Sequence, residues 1–171
     1  NAETWPLSAN IRKELDKIEL WAWKGMFRLP KTTPTAAVMF ASGALYASIR
    51  VQSKQLIYLH KILRKPDNHW TKATLHALRQ HNAGWCKQIN ENLNDWDLET
   101  DWESIKSTSP NEWKRQVNEA AEKKNRIKLI NECYKKERGT AIAKSKTEKL
   151  IQTLENEEYS RSPQPYMKKD K

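Results

Sequence analysis

Five cations recur in the stretch LYASIRVQSKQLIYLHKILRK, residues 45–65: Arg50, Lys54, Lys61, Arg64 and Lys65. On an α-helix they share an arc about 100° wide, with Ile57 inside it and Tyr58 at its edge. Leu45, Ile49, Leu56, Leu59 and Leu63 fall within about 80° on another side, so one face reads as core and the other as a cationic stripe. Such a stripe can gather several phosphates of a nucleic-acid backbone at once, releasing their counterions and reading no sequence. Tyr58 can stack or hydrogen-bond at the border. Many lysine faces are merely solvated. Here the whole chain is basic, with 31 Lys and Arg against 21 Asp and Glu, a net charge of +10 and a sequence pI near 9.6. That balance favours phosphate contact, with an RNA or DNA duplex backbone as the expected partner.

Other residues capable of chemistry do not converge. His76, His81 and Cys86 are spaced by five, which turns a helix about 140° per step, so the three groups point three ways and make no metal site. Asp95, Asp97, Asp101 and Glu103 could bind Mg²⁺ in principle, but nothing nearby reads as a nucleophile or a second anchored site. A solvated acidic loop, pinned to the core by Trp96 and Trp102, is the simpler reading. His60 reads as a partly buried helix histidine. The chain holds no Gly-rich phosphate loop, no GxSxG and no HExxH, and only four glycines. No catalytic centre and no cofactor are expected. Cys86 and Cys133 lie far apart without a CxxC pattern and read as free thiols of a reducing compartment. No apolar stretch approaches the roughly 20 residues that span a bilayer, and no signal peptide precedes the first helix, so a soluble intracellular chain is expected, with no membrane partner.

The elements that must hold these residues are all helical, since no alternating strand pattern exceeds a few residues. Ser8 caps a first helix reaching Leu29. Ile11, Leu15, Ile18, Ala22, Gly25, Met26 and Leu29 line one face, and Leu20, Trp23 and Phe27 a second. That helix is expected to be buried all round in its later turns and to sit at the centre of the assembly, with one side covered by this chain and the other by a partner or by residues before Asn1. Thr33 and Pro34 start a short helix that Gly43 stops near Ser42. The third helix runs 45–65. Segments near 70–82, 85–94 and 100–106 follow, and SPNEW reads as a capping box, Ser109 with Glu112, opening a long helix from Pro110 to about Arg138. Its core stripe is Trp113, Val117, Ala120, Ile127 and Tyr134, with Lys114, Arg115, Lys123, Arg126 and Lys136 elsewhere, and Gly139 ends it. A last helix over 142–156 and a polar tail complete the chain. The expected organisation is an irregular, thumb-like helical bundle over 1–107, a basic helical connector over 108–157 and a flexible, extended tail over 158–171.

The phrase ETWPL…KIELWAWKGMFRLPKTTPTAAV…Y…QLIYLHKIL resembles the region just after the polymerase palm in reverse transcriptases of non-LTR retrotransposons. In those proteins a SEXW phrase leads into a helix ending W..R+ML.+P..TP, then a small-residue helix and an R…YLH.IL helix. The match covers roughly residues 1–65, where order, spacing and residue type agree together. KSKTEKL…YSRSPQPYM is similar to the linker that precedes a cysteine-rich region in related elements carrying a restriction-like endonuclease. The resemblance implies a segment of a longer polyprotein: the polymerase thumb and the connector after it, holding the template–primer duplex beside the palm of the same polyprotein, at the nuclear site of integration. The family's catalytic aspartates, which hold Mg²⁺ in the parent polymerase, lie upstream of such a segment, and its endonuclease residues lie downstream. No FxDD-like motif stands in this chain, so the resemblance carries neither activity onto it. The other reading is a helical protein–protein interaction module, of the kind a host protein derived from a retroelement would be, in which Trp21, Trp23 and Phe27 bind another protein.

Overall fold

A computed structural model describes residues 2–4, 6–135 and 152, the side chains of residues 2, 134 and 135 excepted. Among them there is no strand. A single 3-10 turn (Ala2–Thr4) precedes α1 (Ala9–Met26), α2 (Thr35–Ser42), α3 (Ala47–Leu63), α4 (Trp70–Gln80), α5 (Gly84–Asp95), α6 (Trp102–Ser107) and α7 (Pro110–Lys135). The protein is thus an all-α, irregular multi-helix bundle. The side chains of Trp5, Tyr134 and Lys136, the Gly139 stop, the 142–156 helix apart from Gln152 and the tail lie outside the described residues.

Local signals account for most boundaries. Ser8 opens α1, its hydroxyl accepting from the Ile11 N–H at 3.3 Å, and Asp101 opens α6 by accepting from the Ser104 N–H at 2.9 Å. Gly43 closes α2 at φ 62°, its N–H returning to the Phe40 carbonyl, a left-handed conformation that costs glycine nothing. Two expected caps differ. Pro34 rather than Thr33 precedes α2 and gives no side-chain cap. Ser109 does accept from the Glu112 N–H at 3.2 Å, but the Glu112 carboxylate turns forward to Arg115 and Gln116, leaving half of the capping box unmade.

The chain forms two compact units, and the division falls inside α1 and inside α7. The first holds Asn1–Glu14 and Ala47–Lys124. Its core is built on α3, which buries Ile49, Leu56, Leu59, Ile62 and Leu63 with Leu75, Ile89, Leu93, Trp96, Trp102, Ile105, Trp113 and Val117 from later helices. Leu7 is held as a strand residue would be: its N–H donates to Gln88 Oε1 at 2.7 Å and its carbonyl accepts from Gln88 Nε2. The Trp113 indole N–H donates to the Leu56 carbonyl at 3.0 Å, so a large ring is buried without an orphaned donor.

The second unit holds Leu15–Tyr46 and the chain from Asn125 on. Ala36, Val38, Met39, Tyr46, Leu129 and Cys133 are buried in it. Asn125 Oδ1 accepts from the Tyr46 N–H at 3.1 Å, and Lys128 pairs with Asp16 while its ammonium lies 4.0 Å over the Tyr46 ring.

Helix α1 departs from expectation. None of its residues is buried, so α1 is not the central helix. The Leu20, Trp23 and Phe27 side is half-buried, with the last two rings stacked at 5.5 Å. Ile18, Trp21 and Met26 stand 63%, 76% and 62% exposed. A helix apolar on two faces gives packing a choice, and this chain covers the second face and leaves the longer apolar row outward.

Candidate nucleic-acid interface

Helix α3 positions the cationic stripe by turning the rest of its circumference to the core. The buried arc includes Ser48, Gln52, Ser53, Gln55 and His60 as well as the aliphatic residues. Several of these polar groups are satisfied inside: Gln52 Nε2 donates to Asn92 Oδ1 at 2.8 Å and the Ser53 hydroxyl donates to the Ile49 carbonyl. His60 is fully buried rather than partly so. Its Nε2–H donates to the Thr108 carbonyl at 2.9 Å, with its ring stacked on Trp113 at 6.2 Å. These bonds fix the rotation of α3 and hence which residues face water.

Arg50, Lys54, Lys61 and Arg64 are exposed, while Lys65, Ile57 and Tyr58 are half-buried. Arg50, Lys54, Lys61 and Arg64 follow one another by four, seven and three residues, a single line along the helix. From Arg50 to Arg64 that line is about 21 Å long at 1.5 Å per residue. Arg64 and Lys65 follow the last α3 residue but keep its path, Arg64 N–H donating to the His60 carbonyl at 3.3 Å and Lys65 N–H to the Ile62 carbonyl at 3.0 Å. The buried Lys72 locks this end, donating to the Lys65 carbonyl at 3.2 Å and to Asp67 at 2.5 Å. The Lys72 ammonium holds the Asp67 carboxyl below its usual range.

Among the described residues no carboxylate forms an ion pair with Lys54, Lys61, Arg64 or Lys65. Three cations of α7 differ. Arg115 is clasped by Glu112 and Glu119, each at 2.6 Å, Lys124 meets Asp95 at 2.8 Å, and Lys123 meets Asp97 at 4.0 Å. Lys54, Lys61, Arg64 and Lys65 therefore keep a field that Arg115, Lys123 and Lys124 lose in part to their acids.

The acidic loop reads as expected. Asp95, Asp97, Asp101 and Glu103 are exposed, Trp96 and Trp102 are buried beside them, and each carboxylate is engaged in an ion pair or a helix cap. His76 leans on Trp102, His81 ends α4 and Cys86 is in the core, so the structure does not bring these three together.

An open apolar cleft of about 240 Å³ lies beside the stripe. Tyr58, Trp70 and Trp85 give it three aromatic walls, and Ile62, Leu75 and Leu78 line the remainder with three threonines. Tyr58 meets Trp85 edge to face at 6.3 Å, and the Trp85 indole N–H is tied to the Glu3 carbonyl at 2.9 Å. Trp70, by contrast, is 73% exposed. Sequence reasoning placed Tyr58 at the stripe's edge but missed the cleft. The available signal was a tryptophan at the start of each of two successive helices, Trp70 in α4 and Trp85 in α5. Among the described residues no helix is long and apolar enough to cross a membrane. Compared with protein-family models, curated proteins and solved structures, the chain matches none.

Proposed function

We propose that this chain is a non-catalytic, nucleic-acid-binding helical segment of a reverse transcriptase of the non-LTR retrotransposon type, holding a duplex of RNA, DNA or both by its phosphates. The observation that carries the binding is the exposed line of Arg50, Lys54, Lys61 and Arg64, continued by Lys65, in which the lysines and Arg64 have no carboxylate ion pair among the described residues. A line about 21 Å long runs past about six base-pair steps at 3.4 Å of duplex axis per step, enough to engage several phosphates together. The reverse-transcriptase assignment rests on the resemblance over residues 1–65, which also supplies the palm of the same polyprotein as neighbour and the nucleus as the place of action.

The test is the triple change Lys54→Gln, Lys61→Gln, Arg64→Gln, which keeps helix propensity nearly constant. Binding of a blunt DNA duplex should weaken alike for every sequence. The slope of log K against log[salt] should flatten by about 0.9 for each phosphate no longer neutralised, so by about 2.7 if all three side chains sit on phosphates. A folded triple variant with unchanged affinity and slope would mean that the stripe is merely solvated.

One observation favours a second reading, a helical protein–protein interaction module. Ile18, Trp21 and Met26 are exposed apolar residues of α1, spread over about 140° of its circumference and of the aromatic and Met type common at interface centres. This set differs from the Trp21, Trp23 and Phe27 set read from the sequence, since the last two are turned to the half-buried side. An unchanged triple variant would leave this reading the stronger.

A further inference from the structure

The cleft and the stripe share a residue. Tyr58 is a wall of the cleft, and on the surface of α3 its neighbours are Lys54 at i−4, Lys61 at i+3 and Lys65 at i+7, which places the nearest cations roughly 5–6 Å from it between Cβ atoms. Anything seated in the cleft therefore lies within reach of two or three ammonium groups without carboxylate ion pairs among the described residues.

The occupant must have a flat apolar body and an anionic attachment. The walls are aromatic and aliphatic. The Trp85 indole N–H is taken by Glu3, the Thr71 hydroxyl by His69 and the Thr74 hydroxyl by the Trp70 carbonyl, so these three groups are not left to read a base edge. The volume, about 240 Å³, falls below the roughly 300–1,000 Å³ of pockets for drug-sized ligands, which suits one ring system. An apolar peptide side chain would fill the cleft but leave the lysines without anions. A nucleotide satisfies both halves.

We infer that the cleft takes one unpaired nucleobase, stacked between Trp70 and the fixed Tyr58 and Trp85 pair, from the strand whose phosphates lie on the α3 stripe. This rests on the nucleic-acid reading above and adds to it that the ligand is a duplex with a single-stranded end or junction, since a base stacked inside a duplex cannot enter such a cleft. Recognition is tolerant of sequence, because every base has a π-face and the Trp85, Thr71 and Thr74 polar groups are already committed.

The probe is a DNA duplex ending in a four-thymidine overhang, compared with the same duplex bearing a four-residue abasic overhang and with the blunt duplex, using the full chain. The abasic overhang keeps the phosphates and removes the rings. The full chain should prefer the thymidine overhang over the abasic one by about tenfold, the scale of one base stacked on an aromatic side chain. Trp70→Ala should abolish that preference while leaving blunt-duplex affinity unchanged, and Trp70→Phe should restore most of it. Trp70 is 73% exposed, so its removal leaves the core intact, which circular dichroism checks. Equal binding of the two overhangs by the full chain, or a preference that survives Trp70→Ala, overturns the inference, the second outcome pointing to a base held elsewhere. The stripe's own test is separate: if the triple Gln variant loses blunt-duplex binding while the overhangs bind alike, the backbone reading stands and the base site falls. If the full chain binds no duplex, both fall.

Discussion

Tyr46 is buried to 2% exposure with a hydroxyl that has no hydrogen-bond partner among the described residues. An unsatisfied buried hydroxyl costs about 1–3 kcal/mol, so Tyr46→Phe should match or exceed the wild type by up to about 1 kcal/mol at pH 7. Burial first, then the charges of Glu132 and Asp16, raise the phenol above its ordinary range. A folded value above the unfolded one, near 10, means that this group's contribution is whole below pH 10. It is lost as pH rises, by about 1.4 kcal/mol per pH unit. Urea unfolding at pH 7 and pH 11 should therefore show the Phe variant gaining on the wild type by about 1 kcal/mol at the higher pH. An equal difference at both pH values would contradict this. Residues of this kind mark where sequence reading ran out. Long cations such as Lys54 and Lys61 announce their exposure by their chemistry. Gln52, Gln55, His60 and Lys72 are polar in composition yet buried, and the partners of Gln52 and His60, Asn92 and Thr108, come from distant parts of the chain.

Helices and their ends were more legible. Ser8, Gly43 and Ser109 each act where their chemistry placed them, because a cap is a local event. Which face of α1 turns inward was not legible, because two apolar faces satisfy the same periodicity. Glycine tests how far local chemistry governs these elements. Neither Gly25 nor Gly43 has a neighbouring atom within 4 Å of an added methyl group, so packing is silent and backbone alone decides. Gly25 lies in the last turns of α1, where alanine is the better helix former, and Gly25→Ala should stabilise by roughly 0.5 kcal/mol. Gly43 sits at φ 62°, where a side chain is strained, and Gly43→Ala should cost about 1 kcal/mol. Thermal unfolding of the two variants should move in opposite directions, and a shared sign would mean that something other than backbone conformation controls both.

For the whole molecule, composition spoke clearly about charge and not about connectivity. The excess of ten positive charges is a sum, and structure shows that it is unevenly distributed, with Arg115, Lys123, Lys124 and Lys128 of α7 paired to acids and Lys54 and Lys61 of α3 without carboxylate ion pairs among the described residues. Sequence order gives no hint that the opening residues belong with the chain beyond Ala47. That grouping depends on pairings such as Leu7 with Gln88 and Glu3 with Trp85, residues 81 and 82 positions apart. The helical class and the position of the stripe could be read before the structure. The cleft had only the pointer of Trp70 and Trp85 near the starts of successive helices, since Tyr58, Trp70 and Trp85 become one surface only when α3, α4 and α5 are assembled.

The two cysteines supply built-in reporters. Cys86 is buried in the first unit and Cys133 in the second, and burial pushes both thiols above their ordinary range, so each is unreactive until its surroundings open. A chain carrying Cys133→Ser and another carrying Cys86→Ser therefore give a separate clock for each unit. Under native conditions the labelling rate by a thiol reagent measures the opening free energy around one sulfur at a time. Because both α1 and α7 run through the two units, the rates should rise together in denaturant titrations as one cooperative opening. If Cys133 labels far faster than Cys86 at every concentration, the second unit opens alone, and a fragment ending near Lys124 would lose less stability than its shortened length suggests.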